Sequence, residues 1–164
     1  MTDDDVAPIR AAIPGDAHRL AKMHVTSWHE SYTGILPDKI LASLSTEARA
    51  ASWARILQEP PSVRSTAVYL AEHDGAICGF GSCGAQRAEN LEDLGYDGEI
   101  SAIYVLREFQ KQGIGTRLFR HMSLDLIRRG FNGAALWVLR DNLGARRFYE
   151  RYSGPGYRGK RGCA

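Results

Sequence analysis

Seven consecutive residues, Gln110-Lys111-Gln112-Gly113-Ile114-Gly115-Thr116, constrain this chain more than any other stretch. They stand between an apolar run that reads as a strand, Glu99 to Leu106, and a periodic segment that reads as a helix from about Gly113 to Arg129, with Gly130 as its stop. Two glycines at such a junction let backbone come close to a ligand. The bare amides of the helix start, aided by the helix dipole, then suit a diphosphate. A Gly-x-Gly pair also serves as a plain tight turn, so the neighbouring residues must decide. A dinucleotide fingerprint needs a third glycine where Leu118 stands, and a P-loop needs Gly-Lys-Ser/Thr where Gly115 is followed by Thr116. Neither motif fits.

The rest of the chain supplies the frame around that loop. Ala7 to Ala12 predicts a short strand; the turn at Pro14-Gly15-Asp16 leads into a helix with Leu20, Met23, His24 and Trp28 on its apolar positions. Ser45 reads as the N-cap of a helix running through Trp53 and Leu57, ended by Pro60 and Pro61. Asp74-Gly75 between the runs Ala67 to Glu72 and Ala76 to Cys83 predicts a hairpin with a two-residue turn. The polar stretch Arg87 to Gly98 reads as a loop. After the helix that begins at the glycine pair come a strand, Ala134 to Leu139, and a last helix, Leu143 to Tyr152. Hairpin-paired strands followed by strands joined through helices predict an α/β (α+β) fold: a mixed, mostly antiparallel central sheet with helices on both faces.

With 164 residues, 44% of them apolar, the chain suffices for one packed domain. A net charge of +2 with no basic run beyond Arg128-Arg129 or Arg146-Arg147 gives no footprint for nucleic acid. No stretch approaches the roughly 20 apolar residues of a membrane span, and the acidic opening Asp3-Asp4-Asp5 is the wrong charge for a secretory leader. A cytoplasmic protein is expected. Cys78, Cys83 and Cys163 are expected as reduced thiols, and the five scattered histidines stand at no ligand spacing from a cysteine pair, so no metal is expected.

Gln110, Gly113 and Gly115 reproduce the acetyl-CoA signature of the GNAT superfamily of N-acetyltransferases, which this chain resembles. Glu99-Ile100-Ser101-Ala102-Ile103-Tyr104-Val105 is similar to the family's fourth strand, and Asn142 followed by Ala145, Phe148, Tyr149 and Glu150 is similar to its second half. The run Ser27 to Pro37 resembles the first helix and acceptor-side turn of small-molecule members. The likeness covers about residues 7 to 152 and implies one N-acetyltransferase domain over residues 1–164, with residues 1–6 outside its ordered part. It departs from the family after Glu150: the family's final strand has only a short segment rich in Arg, Lys and Gly to form it here. A second copy of the chain, in a homodimer, is the candidate to cover that side.

The resemblance implies an acetyl-CoA co-substrate and direct attack by a small-molecule amine. Gln110, Lys111, Gln112, Gly113, Ile114, Gly115 and Thr116 would hold the CoA phosphates, with charge from Lys111 or Arg117. Ile103, Tyr104 and Val105 would take the pantetheine arm and supply a main-chain amide for the oxyanion. Asn142 would contact the same arm, and it also suits an N-cap. Tyr149 is the candidate acid for the leaving thiolate, and also fits an ordinary buried helix face. Glu99 is the candidate acceptor of the amine's proton, with Glu72 a weaker alternative and a solvated strand-end carboxylate the plain reading. Trp28 and Tyr32 are the candidate substrate-pocket residues; Trp53 and Tyr104 are aromatic but more typical of a core. A non-catalytic acyl-CoA binding or sensing domain, or a protein N-acetyltransferase, are the alternatives.

Overall fold

The structure, a computed structural model, describes residues 7–152. The expectations for residues 1–6, for a final strand after Tyr152 and for Cys163 lie outside the described residues. Five strands form one sheet in chain order: β1 (Ile9–Ala11), β2 (Ala67–His73), β3 (Ala76–Ala85), β4 (Gly98–Val105) and β5 (Ala134–Ala135). The first four pair antiparallel, and β4 pairs parallel with β5. The helices are α1 (Ala17–Tyr32), α2 (Asp38–Ala42), α3 (Thr46–Gln58), α4 (Glu89–Glu92), α5 (Ile114–Arg128) and α6 (Leu143–Glu150).

Local chemistry explains most of these boundaries. Asp74 and Gly75 both take positive φ, 47° and 75°, which is the tight turn whose twist matches that of the strands it joins. The Ser45 hydroxyl accepts from the Ala48 amide at 3.1 Å and so caps α3. The polar segment expected as a loop contains the single turn of α4, and the strand expected over Ala134 to Leu139 keeps only two residues.

Adjacent residues of a strand face opposite sides, and the sheet is covered on both. Leu70 and Phe80 pack with Leu20, Met23 and Trp53 from α1 and α3. Ala71 and Cys78 pack with Ile114 and Leu118 of α5. The α5 helix lies close because β3 carries glycine beneath it: a Cβ at Gly81 would stand 2.6 Å from the Met122 methyl. Leu20, Leu70, Phe80 and Leu118 are wholly buried, each contributing about 1.5–3 kcal/mol of hydrophobic stabilisation.

The feature that positions the site is the short pairing of β4 with β5. Asp97 accepts from the amides of Asn132 and Gly133 at 2.8 and 3.1 Å, and the Gly98 amide donates to Gly133 at 2.8 Å, which sets the start of the parallel pair. Pairing then stops at Glu99 and Ala135. Across from it, Ser82 opposes Ala102 while Cys83 opposes Ile100, so Ser101 is an extra residue that bends β4. Beyond the bend, the β5-facing edge of β4 is open among the described residues.

Candidate active site

Backbone groups of a strand alternate between its two edges. The Leu106 amide donates to Cys78 on β3 at 2.9 Å, so Val105 and Ile103 present their amides to the opposite, open edge. Tyr104 turns its backbone to β3 and its side chain to the α1 face. The Val105 carbonyl, on the open edge, accepts from the Gln110 side chain at 3.0 Å. The first residue of the glycine signature thus anchors the loop to the end of the strand.

That loop turns sharply into α5. Lys111 and Gly113 take positive φ, 62° and 80°, and Gly113 is the N-cap. Gly113 has no side chain with which to cap the helix, and the first amides of α5 have no carbonyl one turn back within it. Those amides form the concave, electropositive start that a diphosphate needs. Arg117, expected to add charge, is instead turned toward β1, where it donates to the Ala7 carbonyl at 2.7 Å. Lys111 is exposed on the loop.

The last helix packs against this start. Asn142 caps α6, its Oδ1 accepting from the Ala145 amide at 3.1 Å. The Thr116 and Tyr152 hydroxyls are 2.7 Å apart, and Tyr152 stacks on Phe119 at 4.3 Å. Tyr149, beside Phe148, lies close enough to Tyr32 for their phenols to interact, and burial, then Tyr32, pushes its pKa well above the ordinary tyrosine value. The Tyr32 and Tyr104 hydroxyls are hydrogen-bonded at 2.9 Å, and Tyr104 is pushed up in the same way, first by burial and then by Tyr32. Three phenols therefore gather where β4 opens, and burial keeps those of Tyr104 and Tyr149 protonated.

On the α1 and α3 face of β4 lies a cavity of about 460 Å³, walled by Trp28, Trp53 and Tyr104 and by the polar side chains of Glu99, Ser101 and Arg49. That volume is ordinary for a small-molecule site. Glu99 is not the solvated strand-end carboxylate of the plain reading. It is only 5% exposed, and Arg87 grips both its oxygens, at 2.8 and 2.9 Å. Glu72 is elsewhere: Arg10 and Arg19 hold it in a network with Asp16 at the β1 edge, which lowers its pKa. Trp28 lines the cavity, whereas Tyr32 is buried behind Tyr104 and supports the wall. The Trp28 indole N–H lies near the Tyr104 hydroxyl, close enough to ease its ionisation, but is buried without an acceptor in hydrogen-bond geometry.

Sequence reasoning missed Arg87, Arg49 and His24. His24, 7% exposed, is driven down to a pKa of about 3, first by burial and then by the charge of Arg49. The Trp53 indole donates to its Nδ1 at 3.2 Å, which fixes a neutral ring with the proton on Nε2. A ring so protonated cannot take a proton from an amine in the cavity. Cys78 and Cys83 are free, buried thiols; burial, more than any neighbour, lifts Cys83 to about 12, which leaves it inert as a nucleophile. Among the described residues no cluster of histidine, cysteine or acidic side chains is arranged for a metal ion.

The chain is 35% identical over 147 residues to the uncharacterized N-acetyltransferase YuaI of Bacillus subtilis, covering 88% of this chain and 78% of that one. It is 31% identical over 150 residues to a probable N-acetyltransferase of Mycobacterium tuberculosis, Rv2775, covering 87% and 76%. Its fold is similar to that of the PaiA N-acetyltransferase of Thermoplasma acidophilum, solved in complex with coenzyme A, with a TM-score of 0.75 at 20% identity over 88% of this chain and 87% of that one. Residues 25–154 match the Acetyltransferase (GNAT) family, and the chain belongs to it.

Proposed function

We propose that this chain transfers the acetyl group of acetyl-CoA to a primary amine of a small molecule, by direct attack within a ternary complex. One observation carries the reading. Among the described residues β4 has an open edge with the Ile103 and Val105 amides free, it runs into the start of α5, and its side chains wall an aromatic and polar cavity. A protein of the same fold was solved in complex with coenzyme A, which supports CoA as the ligand, and a bare helix start suits its diphosphate.

In this arrangement the Ile103 to Val105 edge holds the arm, and one of its amides faces the oxygen that becomes negative when nitrogen attacks the thioester carbonyl. The new C–N bond forms as the C–S bond breaks. The amine's proton passes to the Glu99 carboxylate, directly or through water, and Tyr149, kept protonated by burial, donates a hydrogen bond or its proton to the leaving sulfur. Lys111, Gln112, Ile114 and Thr116 contribute main-chain amides to the phosphates, and Asn142 orders α6 beside them. The products are an N-acetyl amide and free CoA.

Calorimetry with coenzyme A, followed by thiol release from acetyl-CoA across a panel of amines, tests the reading. Saturable CoA binding and amine-dependent thiol release are expected. No heat with CoA ends the proposal, and binding without thiol release for any amine or peptide transfers the site to an acyl-CoA sensing role.

A further inference from the structure

The cavity beside β4 is cationic. Arg49, Arg64 and Arg87 line it against the single carboxylate of Glu99, and His24 in its wall is neutral at physiological pH. Arg87 is committed to Glu99, and Arg64 reaches Glu92 at 3.3 Å. Arg49 differs. It projects from the first turn of α3 and stacks its guanidinium over the Trp28 ring, 5.7 Å from the centroid, and among the described residues it has no carboxylate or carbonyl partner. Stacking uses the flat face of a guanidinium and leaves its edge N–H groups free for a two-pronged bond to a carboxylate. The same Trp28 has its buried indole N–H near the Tyr104 hydroxyl, so the ring on which Arg49 stacks stands beside Tyr104. Trp28 also touches Tyr32 at 5.0 Å between centroids, and Tyr32 bonds to Tyr104 on the strand that would carry the thioester. A ligand anion at Arg49 thus lies along the aromatic wall that leads through Trp28 to Tyr104 on the reacting strand.

Resting on the acetyltransferase reading above, we infer that the acceptor is a primary amine that also bears a carboxylate, an amino acid with an apolar or aromatic side chain, whose carboxylate is held by Arg49 where it stacks on Trp28. Trp28, Trp53 and Tyr104 receive the apolar body, and the amine faces β4 and Glu99. A polycationic amine meets three guanidinium groups and finds its one carboxylate already taken.

Matched acceptors test this with the full chain: phenylalanine against phenethylamine, methionine against 3-(methylthio)propylamine, and spermidine as the polycation. The carboxylate-bearing member of each pair is expected to have the higher kcat/KM by about tenfold or more, the range of a charge-assisted bond in a desolvated site. Arg49→Ala is expected to erase that preference through KM while CoA affinity, measured by calorimetry, stays within about twofold. Calorimetry of the CoA-saturated protein with N-acetylphenylalanine and N-acetylmethionine gives a readout independent of turnover; binding that disappears in Arg49→Ala is expected. Preference for the decarboxylated amines or spermidine, an undiminished preference in Arg49→Ala, or no binding of either N-acetyl amino acid overturns the inference. In each of those cases, CoA binding with thiol release from some other amine leaves the acetyltransferase reading standing; loss of CoA binding itself removes both.

Discussion

A Cβ placed on Gly115 would stand 3.3 Å from the Phe148 ring, so the second glycine of the signature is where α6 rests on the start of α5. Gly113 is different, with open space around it and a φ of 80° that other residues resist. The two glycines answer separate demands, one of space and one of backbone conformation.

Gly115→Ala therefore has two opposed effects. In the first turn of a helix alanine gains about 0.5–1 kcal/mol over glycine, while the added methyl presses on a ring packed against Tyr149 and Tyr152. The expected result is little change in thermal stability and a CoA dissociation constant raised about tenfold. Shortening the opposing ring in a Gly115→Ala/Phe148→Leu double variant should recover part of that affinity. An unaltered affinity in the single variant, measured by calorimetry, removes the contact as the reason for glycine.

Two glutamates considered for the proton-accepting role stand in unlike surroundings. Glu99 faces the cavity and Glu72 is locked in the Arg10, Arg19 and Asp16 network at the β1 edge. Glu99→Gln should lower kcat by about 100-fold or more, within the usual range for losing a general base. Glu72→Gln should leave kcat unchanged and lower the unfolding midpoint instead, because Arg10 loses an ionic partner. Steady-state kinetics and urea melts on the pair separate the roles.

Legibility in the sequence followed the range of the interaction. The hairpin turn at Asp74-Gly75, the Ser45 cap and the glycine-led start of α5 each depend on residues a few positions apart, and they stand as expected. The strand expected over Ala134 to Leu139 ends at Ala135 because β4 bends at Ser101, a bulge defined by its pairing with distant Ser82 and Cys83. The Arg87 grip on Glu99 and the stacking of Arg49 on Trp28 join segments whose only relation is to meet on one face of the sheet. No local pattern marks an arginine for such a partner. Trp28 and Tyr32 were legible as an aromatic pair, but which of them lines the cavity depended on where Tyr104 stands between them and the strand.

Tyr149→Phe removes the hydroxyl and keeps the ring that packs against Phe148. kcat should fall by about 100-fold, with CoA affinity and the acceptor KM little changed, since the hydrogen bond matters only when sulfur leaves. Burial and Tyr32 hold the wild-type phenol above its ordinary pKa, so kcat should show no loss from this group as pH rises to about 10. A basic limb near pH 8 that vanishes in Tyr149→Phe would contradict that environment.

His24 makes stability itself depend on pH. Its folded pKa is about 3 against an unfolded value of 6.5, so between these limits the unfolded chain binds a proton that the folded protein refuses. The contribution is fully present above pH 6.5 and is lost as pH falls toward the folded value, at a slope approaching about 1.4 kcal/mol per pH unit. Asp16 and Glu72, whose pKa values Arg10 lowers from 3.8 and 4.5, lose their contributions only at lower pH, which leaves the window from about 6.5 to 4.5 to the histidine. His24→Gln keeps an acceptor for the Trp53 indole but cannot be charged. Urea unfolding across that window should show stability falling steeply with acid in the parent and nearly flat in His24→Gln. Parallel slopes in the two would mean that the ring accepts its proton in place, and that the wall of the cavity is wetter than its burial among Trp28, Trp53 and Phe80 implies.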